Sequence, residues 1–337
     1  MNIKELAQAL GVSIGTVSRA LNDKPDVSEE TRQRVFDAAL KLGYSANTFG
    51  QSLRRGSTKT VAFVLETGHA NARGGDAFFM QIIDAMQDML AAQGYDLIIL
   101  PSNSANDPTE FLKRVMARGM ADAIVITATR AQDPRLRLLM SGQVPFLSFG
   151  RSQISQDYAW IDLDFEGFLR DAMQELAALG HRDIAITIPP GESNIAVILR
   201  DTYALCCAEL GLPYDPSLVQ VAEHSEYGGN EVVYTLLQRP RRPTALVLNY
   251  EMMAFGAYSA LRDEGLTPGR DLSLITLRRS KQLRFLEPLI AACDIDVDGL
   301  GRMLATETLR VIRGERPNAA LLWPVSLILT QSVGPPP

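Results

Sequence analysis

The chain holds only three cysteines in 337 residues, Cys206, Cys207 and Cys293. Adjacent cysteines do not normally bridge each other, and the three fit no disulfide framework and no zinc-ligand spacing. They are expected as buried small apolar residues. Histidine is equally scarce: His69, His181 and His224 are too dispersed to be read as a metal site. No apolar run approaches the roughly 18–20 residues needed to span a bilayer. The opening residues Met1 to Leu6 include Lys4 and Glu5, where a secretory signal needs an unbroken apolar core. The expectation is a cytoplasmic protein, associated with the nucleoid if it binds DNA, and without membrane contact. A glycine-rich phosphate loop, a nucleophile elbow and a paired His/Cys constellation are also missing, which argues against an enzyme of doubly wound fold. No catalytic residue, metal or cofactor is assigned.

What is present suffices for sizeable cores: 46% of residues are hydrophobic and 21% charged, ordinary for a globular protein. The length suits two or three folded units. Charge is unevenly spread. Residues 1–60 carry nine Lys and Arg against six Asp and Glu, a net +3, so the rest carries −9 of the overall −6. A small basic head on an acidic body suits a protein that confines its phosphate contacts to one end.

That head reads as three short helices. Ile3, Leu6, Ala7 and Leu10 form one apolar face, and Gly11 stops the run. Ser13 caps a second helix bearing Ile14, Val17 and Leu21. Ser28 caps a third with Val35, Ala38, Ala39 and Leu42, closed by Gly43. Two short helices joined by a glycine turn make a helix-turn-helix unit. The outward side of the second helix presents Thr16, Ser18, Arg19 and Asn22. Such groups hold phosphates or read base edges, arginine through guanine O6 and N7. A three-helix interaction module with a solvated polar face fits the same periodicity, so spacing alone leaves both readings open.

The segments Asn2-Ile3-Lys4-Glu5-Leu6-Ala7, Gly11-Val12-Ser13, Thr16-Val17-Ser18-Arg19-Ala20-Leu21-Asn22 and Val27-Ser28 closely resemble the headpiece of the lactose-repressor (LacI/GalR) family. The following Gly43-Tyr44-Ser45-Ala46-Asn47 and Leu53-Arg54 resemble its hinge helix. The resemblance implies that Ser13, Ile14, Gly15, Thr16, Ser18, Arg19, Asn22, Asn47, Leu53 and Arg54 contact DNA. Leu53 stands at the position that wedges into the minor groove, and Asn47 at one that contacts the backbone. Three residues depart from the pattern. Ala46 replaces the usual proline, and Gly15 stands where a larger base-reading side chain is usual. Gly50 replaces an alanine, which costs the hinge helix about 1 kcal/mol.

Beyond residue 58, short apolar runs alternate with amphipathic helices, from Val61–Leu65 to Ser273–Leu277. Such βαβ alternation predicts parallel sheets covered on both faces, with a ligand cleft at their strand carboxyl ends. Leu179-Gly180-His181-Arg182 and the segment Pro243–Ala257 extend the resemblance over nearly the whole chain. The implied fold is an all-α helix-turn-helix headpiece (1–43), a hinge helix and linker (44–58), and an α/β periplasmic-binding-protein-like body (59–337). That body comprises two doubly wound parallel-sheet subdomains, about 59–160 with 291–321 and about 161–290 with 322–332. Phe78-Phe79, Phe149-Gly150-Arg151 and Trp160–Asp164 further resemble the α-glucoside and raffinose repressor branch.

The implied function is a sequence-specific DNA-binding regulator, a repressor of carbohydrate-utilisation genes. Its partners are double-stranded operator DNA, a second copy of the chain and a small-molecule effector, which is a sugar, sugar acid or sugar phosphate. Phe79, Trp160, Asp164, Arg200, Tyr250 and Arg278 are the candidate effector contacts. Arg278 replaces an aspartate of the family pattern; with Arg200 it makes a positive pocket for an anionic effector, or else it pairs with Glu251 as a structural bridge. A dimer rather than a tetramer is expected, because Thr330–Pro337 is too short for a heptad-bearing helix. A periplasmic sugar-binding protein would account for the two-lobed body but not for the basic head.

Overall fold

Local caps account for the first three helices. In α1 (Ile3–Leu10) the Asn2 side chain accepts the Lys4 and Glu5 amides, while Glu5 reaches back to the Asn2 amide. Gly11, at φ 65°, ends the helix in the left-handed region. In α2 (Ile14–Leu21) the Thr16 amide donates to Ser13 Oγ at 3.0 Å. In α3 (Glu29–Lys41) Ser28 accepts the Thr31 amide. Leu6, Ala7, Val17, Ala20, Val27, Val35 and Ala39 meet in a small core.

The structure, a computed structural model, describes residues 2–21, 24–44, 57–67, 77–103, 107–155, 157–315 and 320–337. These form two compact units, Met1–Thr58 and Lys59–Pro337. Of the expected DNA contacts, Asn22, Asn47, Leu53 and Arg54 lie outside the described residues, as does most of the expected hinge segment.

The larger unit alternates strand and helix as its hydropathy requires. Its elements begin with β1 (Thr60–Glu66), α4 (Ala77–Ala91), β2 (Asp96–Ser102), α5 (Glu110–Ala117), β3 (Ala123–Ile126), α6 (Pro134–Ser141), β4 (Phe146–Phe149) and β5 (Trp160–Leu163). There follow α7 (Phe165–Ala178), β6 (Ile184–Ile188), α8 (Asn194–Glu209), β7 (Val219–Val221), α9 (Glu226–Leu237), β8 (Ala245–Leu248) and α10 (Met253–Asp263). The last are β9 (Ser273–Arg278), β10 (Ala291–Asp294), α11 (Val297–Ile312), β11 (Ala320–Trp323) and β12 (Ser326–Ile328). Strands β3, β6 and β8 are buried along their whole length, the mark of parallel strands covered on both faces.

The strands make two six-stranded sheets, β11-β5-β4-β3-β1-β2 and β12-β10-β9-β8-β6-β7. Pairing is parallel throughout except between β10 and β12. The chain therefore passes between the lobes three times: after β5, after β10 and after β11. Each passage comes a few residues later than the sequence boundaries place it. Trp160–Leu163 is tied to β4 and β11 in the first lobe, and Ala291–Asp294 to β9 and β12 in the second. At these crossings Asp164 caps α7 through the Gly167 amide and Asp296 caps α11 through the Gly299 amide, both at 2.8 Å. A Cβ on either glycine would lie within 2.5 Å of the capping carboxylate, so the Asp-x-x-Gly spacing serves the cap itself. Trp323 joins the three passages: its carbonyl accepts the Asp164 amide, and its indole N–H donates to the Asp296 carbonyl.

Candidate functional site

In the smaller unit, α2 buries Val17 and Ala20 and turns Ile14, Gly15 and Arg19 to solvent, with Ile14 44% exposed. An exposed isoleucine at a helix N-terminus contributes nothing to the core and is available to an apolar base edge. Ser13 and Thr16 hydroxyls lie 2.9 Å apart, and Ser18 is half-buried. Arg19 Nε lies 3.6 Å from Asp26, an exposed ion pair that solvent weakens. Its guanidinium can exchange that partner for a guanine or a phosphate at little cost. A Cβ on Gly15 would meet only ordinary contacts, so this glycine answers no packing demand.

In the larger unit a cavity of about 310 Å³ opens where the strand carboxyl ends of the two sheets face each other. The first lobe contributes Leu65 and Glu66 from β1, Thr127 to Thr129 after β3, Phe149 to Arg151 after β4, and Asp162 and Leu163 from β5. Phe78, Phe79 and Met80 at the start of α4 complete that side. Asn194 and Ile195 at the start of α8, His224, Asn249, Tyr250, Leu277 and Arg278 supply the other. Phe78, Phe79 and Phe149 pack edge-on and tilted at centroid distances of 5.7–6.3 Å, and His224 stacks on Tyr250 at 4.9 Å.

The charged groups of this cavity are paired within the protein. Arg151 Nε lies 3.4 Å from Asp162 Oδ2, and its NH2 bonds Glu166. Burial pushes the Asp162 carboxyl up to about 7, with Arg151 and two backbone N–H groups acting the other way. Arg278 donates from Nε to Glu251 Oε2 at 2.9 Å, and its guanidinium lies 4.2 Å from the Phe78 ring and 5.2 Å from Tyr250. Behind the wall, wholly buried Arg135 binds Asp133 in a forked pair, donates to the Thr127 and Ala128 carbonyls, and reaches Glu66 at 3.4 Å. Burial alone would raise the Asp133 carboxyl, but hydrogen bonds from Arg135 and its charge hold it below the usual range.

The expected effector residues divide. Phe79, Tyr250 and Arg278 line the cavity; Trp160, Asp164 and Arg200 do not. Arg200 is exposed on α8, whose inward side packs Ala196, Leu199 and Tyr203 into the core, while the cavity-lining residues of that helix are Asn194 and Ile195 at its start. Asp164 is occupied as the cap of α7, and Trp160 packs beside Tyr158 with the Arg151 guanidinium 5.6 Å from its ring. The positive pocket expected from Arg200 and Arg278 therefore does not form, and Arg278 bridges to Glu251. The candidate contacts also leave out Glu66 and Asp162 in strands, Asn194 at the start of α8 and His224 in the loop between β7 and α9. His181 stands apart from the cavity, bonded to Thr244 and the Gly334 carbonyl at 2.8 Å each.

The lobes also touch beside the cavity. Arg130 and Ser193 form an isolated antiparallel bridge, the Ala131 amide donates to the Glu192 carbonyl, and the Asn194 amide donates to the Thr129 carbonyl.

Known proteins share this architecture. The profile of bacterial regulatory proteins, lacI family, matches residues 2–47, and that of a periplasmic binding protein-like domain matches residues 173–333. The chain is 32% identical over 344 residues to the HTH-type transcriptional regulator AglR of Rhizobium meliloti (strain 1021), covering 100% of this chain and 95% of that protein. It is 30% identical over 321 residues to the HTH-type transcriptional regulator RafR of Escherichia coli, covering 95% and 94%. Among solved structures, a transcriptional regulator CelR–cellobiose complex superposes with TM-score 0.74 at 25% identity, over 98% of this chain and 99% of that one.

Proposed function

The chain belongs to the lacI family of bacterial regulatory proteins, DNA-binding regulators whose activity a small molecule controls, and from that premise we propose a repressor of carbohydrate-utilisation genes answering to a neutral sugar. The observation that carries this reading is a cavity walled by aromatic rings whose ion pairs close on themselves. Phe79 and Phe149 offer apolar ring surface, which suits the C–H groups of a pyranose, while Phe78 and Tyr250 carry the Arg278 guanidinium and Tyr250 also stacks on His224. Arg151 answers Asp162 and Glu166, Arg278 answers Glu251, and Glu66 is met by Arg135. An anion entering here would find its cations engaged and carboxylates nearby, whereas hydroxyls can donate to those carboxylates and accept from the guanidinium edges. The CelR complex with cellobiose supports a neutral sugar as the ligand class, and the segments Phe78-Phe79 and Phe149-Gly150-Arg151, which resemble the α-glucoside and raffinose repressors, favour that branch within it.

The DNA-reading unit is α2, with Ser13, Ile14, Thr16, Ser18 and Arg19 at the interface. The operator is paired half-sites read by a homodimer, since one such helix offers only a few base contacts. The test is fluorescence anisotropy on palindromic fragments selected from a random pool, with and without maltose, sucrose, melibiose, raffinose or cellobiose. One selected sequence bound as a 2:1 complex, with affinity changed tenfold or more by a neutral sugar, is the expected result. Response only to sugar phosphates or sugar acids, or binding indifferent to sequence, would overturn it.

A further inference from the structure

Asn194 opens α8 on the second lobe and is 3% exposed. Both of its donors reach across to the first lobe. Its backbone amide donates to the Thr129 carbonyl at 3.0 Å, and its Nδ2 donates to the Arg151 carbonyl at 2.8 Å. A carbonyl can only accept, so the amide orientation is fixed by chemistry: nitrogen faces Arg151, and oxygen faces away. The Arg151 carbonyl also accepts the Thr129 hydroxyl at 2.7 Å. That leaves Asn194 Oδ1, which is buried without a hydrogen-bond partner although Asn194 is part of the cavity wall.

A dry, unpaired amide oxygen is costly, and native interiors rarely keep one without a use. Here the cost belongs to the arrangement of the lobes in this structure, where both donors of Asn194 reach across and its oxygen has no exposed surface; a shift of the lobes that frees the oxygen would let water or a ligand donor reach it. A ligand that enters the open cleft and brings a donor to Oδ1 removes that cost when the lobes close around it. A ligand without a donor at that place leaves the cost in full. One side chain thus combines two tasks: its nitrogen holds the lobes together, and its oxygen tests what lies between them.

We infer that Asn194 is a specificity-determining residue of the cleft, reading one hydroxyl of the effector through Oδ1 and favouring lobe closure only when that hydroxyl is present. The inference rests on the reading of the cavity as the site of a neutral sugar. Arg151 and Asp162, which stand beside it, are bound to each other, and the role given to Asn194 requires no change in their charge.

The experiment uses the full chain and isothermal calorimetry with maltose, sucrose, melibiose, raffinose and cellobiose, then with the monodeoxy analogues of the tightest binder. For the wild type, one analogue should bind roughly 10- to 100-fold more weakly than its parent, the usual range for leaving a buried acceptor unmet. Asn194→Leu keeps the shape, removes the lone oxygen and leaves the Arg151 carbonyl its Thr129 hydroxyl. In that variant the parent sugar should weaken by a similar factor, and the same analogue should bind within about twofold of the parent. A side chain that merely braces the lobes would weaken parent and analogue alike and leave the wild-type ratio intact; that result overturns the inference. If Asn194→Leu does not fold, Asn194→Ala carries the same comparison, and equal affinity of every analogue for the wild type refutes the idea without any variant. Failure of all five sugars to bind the wild type sinks instead the neutral-sugar reading on which the inference stands.

Discussion

Asp162→Asn probes the buried charge at the cavity wall through pH. Asp162 stands near the end of β5 among cavity residues, and burial raises its pKa from 3.8 to about 7 despite Arg151. Between those values the folded chain retains a proton that the unfolded chain has released. Where the folded state binds more protons, stability falls as pH rises. The proton's contribution is therefore fully present below pH ~4 and is lost as pH climbs through about 7. The full shift is worth at most ~4 kcal/mol, at about 1.4 kcal/mol per tenfold in proton affinity. Asparagine cannot ionise. It also accepts through one oxygen where the carboxylate takes N–H groups from both Arg151 and Leu163, a constant loss of ~1 kcal/mol at every pH. The diagnostic is thus the slope and not the offset. Melting curves of both proteins followed by circular dichroism at pH 5, 6, 7 and 8.5 give the wild-type advantage in Tm at each pH. That advantage should shrink by about 5–10 °C from pH 5 to pH 8.5, on the scale of 2–4 °C per kcal/mol for a body of this size. Parallel curves would show that Asp162 is ionised throughout and that the cavity is more polar than its packing implies.

Arg135→Met should destabilise the body by about 3–5 kcal/mol in chemical denaturation, because Asp133 and Glu66 would stay buried without their cation; a loss below 1 kcal/mol would contradict the burial of that cluster. Asp164→Ala should cost about 1 kcal/mol through the lost cap of α7 while changing sugar affinity less than twofold, as calorimetry can check. Arg19→Ala should cost ~1–3 kcal/mol in operator binding and relax base preference at one position of each half-site; salt-matched titration on single-base operator variants reads both, and an unchanged preference would remove Arg19 from base contact.

The elements legible in the sequence are those set by neighbours along the chain. Gly11, Ser13 and Ser28 mark the headpiece boundaries because a cap is a contact over two or three residues. The parallel sheets are legible because β3, β6 and β8 need apolar residues on both faces. Helix α6 is harder to read: it is eight residues long, and its clearest mark is the start signal Asp133-Pro134. In the cavity, the aromatic residues Phe79 and Tyr250 are legible by type and position. Arg200 lies on the solvent side of α8, more than one turn beyond the cavity-lining Asn194 and Ile195, and its charge alone does not say which part of the helix meets the cleft. Glu66, Asp162 and Asn194 come from distant parts of the chain and acquire meaning only when the two sheets face each other.

The pairing of cavity charges shows why a residue's type does not declare its role here. Read alone, Arg278 in place of a family aspartate inverts the charge of the site. In the fold, Glu251 lies 2.9 Å from it, so the substitution carries its own counter-ion. The cavity thus gains a flat cation held between Phe78 and Tyr250 without gaining net charge. Phe78 belongs to the first lobe, while Tyr250, Glu251 and Arg278 belong to the second. The stack is therefore a contact between lobes, as are the donors of Asn194 to Thr129 and Arg151. Both ends of the cleft chemistry are built from residues whose partners sit across the gap. On the proposed reading, a ligand inserted between them would compete with, or complete, these contacts between the lobes, while Trp323 ties together the three passages that join them. Recognition and closure are one equilibrium in such an arrangement, since a ligand shifts it only by binding one arrangement of the lobes more tightly than another.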